Sequence, residues 1–374
     1  RIFDAAHCCD GYVNHDCFRC GFEELNRRFG KDRALPASTA SNEINRLSVT
    51  GVSSWSVAKP WNGEFLDPET GVPQTTLLQE YSRFKFGDVK AILRFATDLT
   101  GLLISEIEDQ RSDLGQVFRQ AATAGEYIYL VSPGIRNVPS ASNFLLQQTG
   151  TLLNVWLTQQ RLPTTIIRTL PRLSSGRANY SELNATERTS RPKTTKTLIP
   201  ASDYHQYPIH VVFIDDMMAS GATVARARDE SLAAGAMSFN AAFLLQAVPQ
   251  ARDYPELEHH VNSMTVSGRL DEHVTRILSH PDYRPVQRML RLLLHPRNRA
   301  EIFDFAARHI PRIVLDRIYH AAMSNDYLWI DRADDASETD FGRYGESLLV
   351  MQELVNRRRL VASHESVVPF KTSL

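Results

Sequence analysis

The stretch "HVVFIDDMMASGATVARARDESLAAGA", His210 to Ala236, decides how the chain is read. Val211, Val212, Phe213 and Ile214 form an apolar run suited to a strand buried on both faces. Asp215 and Asp216 close that run, and Ala219, Ser220, Gly221, Ala222 and Thr223 follow in a small-residue loop. A helical pattern then runs to about Ala236. Two carboxylates at a strand end, followed at once by hydroxyls and a glycine, ask for a chemical reason. A helix cap explains one aspartate, but not the second, nor the Ser-Gly-x-Thr.

Similar units lie on both sides. "YIYLVS" (127–132), "TTIIRTL" (164–170), "IHVVFID" (209–215) and "SFNAAFLLQAV" (238–248) read as strands. Helical patterns separate them, at "SASNFLLQQTGTLLNVWLTQQ" and in the Ala222–Ala236 run. Upstream, "DVKAILRFATDLTGLLISEIED" has helical spacing with Asp88 as its N-cap, and "SDLGQVFRQAATAG" reads as another helix. Strands joined through helices imply an α/β fold, a parallel sheet flanked by helices, whose ligands bind beyond the carboxyl ends of the strands. After about Val248 all patterns are helical. Three regions are therefore expected: 1–80, a loop-rich N-terminal extension and one candidate for a hood; 81–250, the α/β domain; and 251–374, a helical C-terminal region. Residues 30–75 in particular read as loop, being rich in Ser, Pro, Gly and Asn.

The loop after Asp216 has the composition of a phosphate nest. Successive N–H groups and the positive end of the next helix would hold an anion; Gly221 permits a positive φ, and Ser220 and Thr223 add donors. Asp215 and Asp216 would repel a phosphate but accept hydrogen bonds from a vicinal diol. The chemistry points to a sugar phosphate. A nucleotide-hydrolase strand would need a GxxxxGK[ST] loop and a dinucleotide fold a GxGxxG, and the sequence has neither.

"VVFIDDMMASGAT" resembles the phosphoribosyl-diphosphate (PRPP) motif of type I phosphoribosyltransferases, with Ser220 where threonine is usual. The resemblance implies a second, pyrophosphate loop after the first of these strands. Ser132, Pro133, Gly134, Ile135 and Arg136 fill that place, where a non-proline cis peptide is frequent in the family. It also implies a hood. Residues 161–196 carry eight basic side chains against Glu182 and Glu187 only. Within them "NYSELNATERTSR" resembles a segment of orotate-phosphoribosyltransferase-like bacterial proteins, which singles out Tyr180 and Arg188. The implied binding set is Ser132, Gly134, Arg136, Asp215, Asp216, Ala219, Ser220, Gly221, Ala222 and Thr223. The implied catalytic set is Asp215, Asp216, Arg136, Arg188 and Tyr180, with Mg2+ at Asp215 and Asp216. In "EYSRFKFGD", Lys85 is a candidate phosphate donor, and the aromatics are either core or a cover for the acceptor base.

The expected activity is transfer of ribose 5-phosphate from PRPP to a small-molecule acceptor. A PRPP- or nucleotide-sensing module without catalysis, and a nucleotide phosphorylase or hydrolase, are the alternatives. Composition fits a folded, cytoplasmic protein: 43% of residues are hydrophobic, the formal net charge is -1, and no apolar run is long enough for a membrane helix. The near-neutral balance argues against general nucleic-acid binding. A homodimer stays open as a further partner. Cys8, Cys9, Cys17 and Cys20 include one CxxC without a second ligand pair at a zinc-ribbon distance, which favours plain thiols over a metal site.

Overall fold

A computed structural model describes residues 51–134, 138–170, 207–324 and 347–357, apart from 59, 61–63, 252, 253, 255 and 348. Arg136, Tyr180, Arg188, the cysteines and most of the expected hood lie outside the described residues.

Five parallel strands form one sheet: β1 (Val52–Val57), β2 (Tyr127–Ser132), β3 (Ile166–Thr169), β4 (Ile209–Met218) and β5 (Ser238–Ala247), in the order β1-β5-β4-β2-β3. The helices of the α/β part are α1 (Thr75–Lys85), α2 (Val89–Glu108), α3 (Asp113–Ala124), α4 (Ala141–Gln159) and α5 (Ala222–Ala233). Beyond β5 come α6 (Leu257–Ser263), α7 (Glu272–Leu278), α8 (Gln287–Leu294), α9 (Arg299–His309) and α10 (Arg312–Ser324).

Local chemistry sets the boundaries. The Asp88 carboxylate accepts from the Lys90 and Ala91 amides at the start of α2, and Ser112 accepts from Gly115 N at the start of α3. Asn143 Oδ1 accepts from Ser140 N at the start of α4. Gly125, with φ 69°, ends α3 in the left-handed conformation that glycine adopts without a Cβ penalty.

The sheet buries both faces. Val212 and Ile214 of β4 pack with the apolar residues of α1–α4, and Val211 and Phe213 pack with Val224 and Ala227 of α5. A separate core, around Leu278, Leu290, Leu293 and Ile318, gathers the C-terminal helices and takes in Phe86 and Val138.

Two expectations change. β1 lies inside the stretch 30–75 read as loop. Its sequence, VSSWSV, is an edge strand half-buried along most of its length, and its serines leave little apolar alternation to detect. β4 also does not stop at Asp215. It pairs with β5 as far as Met218, so the aspartates sit inside the strand. Across them the alternation of faces shifts by one residue: Met217 packs with the Ile214 core and Met218 with the Phe213 core.

Candidate functional site

Because the strands are parallel, the loops after β2 and β4 leave the same edge of the sheet. β3 lies on one side of β2 and β4 on the other, so the strand order reverses between them. That is the crevice where open α/β sheets take their ligands.

After Met218 the chain turns through Ala219, Ser220 and Gly221 into α5. Gly221 has φ 76° and ψ -3°, the positive φ expected from the sequence, and it is the N-cap of α5. The Ser220 and Thr223 side chains are exposed. The first-turn amides of α5 have no acceptor within the helix, and its dipole is positive at this end. A small cleft of about 60 Å³ opens over the loop. It is lined by all five residues from Ala219 to Thr223 and by Asp215, together with Met217, Met218, Val224, Phe243 and Glu258.

The two aspartates have different surroundings. Asp216 is buried, and the Lys85 ammonium at the end of α1 donates to its Oδ2 at 2.5 Å. Asp215 lines the cleft, and its Oδ1 accepts from the Asp216 backbone N–H at 2.9 Å. Burial holds the Asp215 carboxyl well above the usual carboxylate range, the Asp216 charge raises it further, and Lys85 pulls it back. Lys85 therefore engages a carboxylate, where the sequence reading had offered it to a phosphate. The aromatics around it are core: Tyr81 and Phe84 are fully buried. Lys85 Nζ lies 5.7 Å from the centre of the Tyr81 ring.

The candidate second loop is described only as far as Gly134. Ser132 is buried, and its Oγ accepts from Asn143 Nδ2 at 2.8 Å. The same amide nitrogen donates to Pro133 O at 2.9 Å, so the start of α4 anchors the start of this loop. The described residues contain no cis peptide bond.

The structure thus brings Asp215, Ala219, Ser220, Gly221, Ala222 and Thr223 to one cleft, with Asp216 behind it. Ser132 and Gly134 belong to the neighbouring loop. Asn143 and Glu258 are additions, and Lys85, expected to meet a phosphate, pairs with Asp216 instead. Lys85 is 131 residues from Asp216, and no local spacing announces the pair.

Comparison with known proteins agrees with this architecture. A family model described as PRTase ComF-like matches residues 74–336, which is most of the chain. No curated protein matches it. The narrower likeness to orotate-phosphoribosyltransferase-like proteins rests on residues 179–191, outside the described residues. Among the described residues no helix is long and apolar enough to cross a membrane.

Proposed function

The chain belongs to the ComF-like phosphoribosyltransferase family, and from that premise we propose that it transfers ribose 5-phosphate from PRPP to a small-molecule acceptor. The observation that carries this reading is one cleft lined both by a glycine-led helix N-terminus and by Asp215. The first suits the 5-phosphate; the second suits a ribose hydroxyl a few ångströms away.

In this reading Ser220, Gly221 and Thr223 hold the 5-phosphate through hydroxyls and backbone amides. Asp215 accepts from the ribose diol. Asp216, gripped by Lys85, fixes the neighbouring negative charge and holds the α1 end against the site. The bond from the anomeric carbon to pyrophosphate breaks with its electron pair leaving on pyrophosphate, and an acceptor lone pair forms the new bond. Catalysis is then largely positioning and electrostatic stabilisation of the departing charge.

Two adjacent carboxylates suit magnesium, an ion that keeps several waters and takes one or two carboxylates together with substrate phosphates. Asp215, which faces the cleft, would hold it, with Asp216 paired to Lys85 behind it. When bound, it would neutralise charge developing on pyrophosphate. Among the described residues no three acidic, histidine or cysteine side chains stand close enough to hold an ion by themselves. That fits an ion arriving with its phosphates.

A binding-only PRPP sensor is the second reading. It is favoured by the pairing of Asp216 with Lys85, which leaves one of the two aspartates facing the cleft. Calorimetry with PRPP and magnesium, followed by a pyrophosphate-release assay against a panel of bases, decides between them. Binding with release supports transfer; binding without release supports the sensor. No PRPP binding would overturn both.

A further inference from the structure

We propose that the hollow between the start of α4 and α10 is a second ligand site, which takes a small amphipathic anion: an apolar ring or short chain that carries one carboxylate. The proposal stands apart from the phosphoribosyl-transfer reading, since no described residue lines both this hollow and the cleft at Asp215.

The hollow has a volume of about 490 Å³, against about 60 Å³ for the cleft. That is the size of small-molecule sites, which are mostly apolar with a few convergent polar groups. One wall comes from the α/β part. Val138 and Pro139 precede α4, and Phe144 lies in its first turn. The other wall is a face of α10, where Ile313, Arg317, His320 and Ala321 follow helical spacing. The core side of the same helix is Val314, Ile318 and Ala322. Ile313, on the side of the hollow, is 52% exposed. The walls are fixed to each other without a ligand. Val138 is buried in the C-terminal core, and Gln287 N of α8 donates to Pro139 O at 3.1 Å.

The charge in the hollow is what selects an anion. Arg317 Nη1 donates to Pro281 O at 2.7 Å and to Tyr283 O at 3.1 Å. Two carbonyl oxygens hold the guanidinium in place but do not neutralise it. Arg284 also lines the hollow, and among the described residues neither arginine forms an ion pair. Asp316, the carboxylate among the described lining residues, already has an interaction of its own. A guanidinium matches a carboxylate in shape and charge, and one fixed in advance loses little freedom on binding. The apolar walls of Val138, Phe144, Pro285 and Ile313 suit the rest of the ligand. They also favour a single charge over a phosphate dianion, because each charge taken from water into apolar surroundings is costly.

The test is calorimetry on the full chain with 3-phenylpropionate, its neutral analogue 3-phenylpropanamide, and phenyl phosphate. The carboxylate is expected to bind with Kd on the order of 1 mM or tighter, and the amide about tenfold more weakly or worse. Phenyl phosphate should bind more weakly than the carboxylate. Arg284 and Ile313 are exposed, so Arg284→Met and Ile313→Asp should fold like the parent. Each should weaken 3-phenylpropionate about fivefold or more, and Arg317→Met about tenfold, with a thermal melt on every sample. The two exposed variants carry the test should Arg317→Met fail to fold. No binding of the carboxylate by the folded parent, equal binding of the amide, tighter binding of phenyl phosphate, or parental affinity in both exposed variants would overturn the site.

Discussion

The two ends of β4 carry buried polar residues of opposite character. At its start His210 is buried with both ring nitrogens engaged, Nε2 to Glu126 Oε2 at 2.8 Å and Nδ1 to Ser238 Oγ at 2.8 Å. Near its other end Asp216 is paired with Lys85, and Asp215 is raised by burial and by its neighbour's charge. The first end is complete within the protein. The second holds two carboxylates against each other beside a helix N-terminus and a cleft. Burial alone therefore does not mark function on this strand. What separates the ends is charge: His210 meets one carboxylate and one hydroxyl, whereas two adjacent carboxylates share the neighbourhood of Lys85.

The comparison breaks most directly at the aspartates. Asp215→Asn with Asp216→Asn should leave the fold intact and lower PRPP affinity by roughly 10²–10⁴-fold, two hydrogen bonds to charged groups at about 1.5–3 kcal/mol each. Calorimetry with a thermal melt on the same sample checks it, and parental affinity in the folded double variant would remove the ribose role. The opposite result is expected at the other end. His210→Ala strips Glu126 and Ser238 of their shared partner and should cost roughly 2–3 kcal/mol of stability, read by urea unfolding. PRPP affinity should not move; if it falls with stability, the two ends are not separable.

Gly221→Val sharpens the contrast at the loop. No heavy atom stands within 4 Å of where a Cβ would sit, so the cost is conformational, arising from φ 76°. A β-branched residue there costs roughly 1–3 kcal/mol. Lower PRPP affinity is expected, whereas Ser220→Thr keeps its hydroxyl and should bind like the parent. Equal affinities for both variants would refute the nest.

The smallest effect concerns the empty site. The folded-state Asp215 carboxyl is raised, so the folded protein holds more protons than the unfolded chain above the ordinary value of 3.8. Stability then falls as pH rises from that value through the raised one. Asp215→Asn should remove this slope and raise the melting temperature at neutral pH while weakening binding. A lower melting temperature would mean that the carboxylate stabilises the empty protein.

Much of the α/β part is legible in the sequence because its signals are local. Apolar runs define β2, β4 and β5; Asp88 and Ser112 cap two helix starts with their side chains, and at a third Ser140 N donates to Asn143 Oδ1. The contiguous stretch from Asp215 to Thr223 is legible for the same reason. β1 escapes because a serine-rich edge strand has little alternation to detect. Lys85 is named from the sequence without its partner, and Glu258 escapes altogether, because these contacts arise only in the folded chain. Nothing near either residue in sequence distinguishes a lysine that grips an aspartate, or a glutamate that closes a cleft, from a solvated charge.

The place of β1 also bears on how the chain is made. Val52 pairs with Ala242, a separation of 242 − 52 = 190 residues. At about 5–20 residues per second of synthesis, roughly 10–40 s pass between the appearance of this strand and that of its partner. During that interval the backbone N–H and C=O groups of VSSWSV have no ladder to join. The apolar side chains of Trp55 and Val57 are held apart from the core they later complete. A newborn chain thus carries an unpaired edge until nearly the whole sheet has been synthesised.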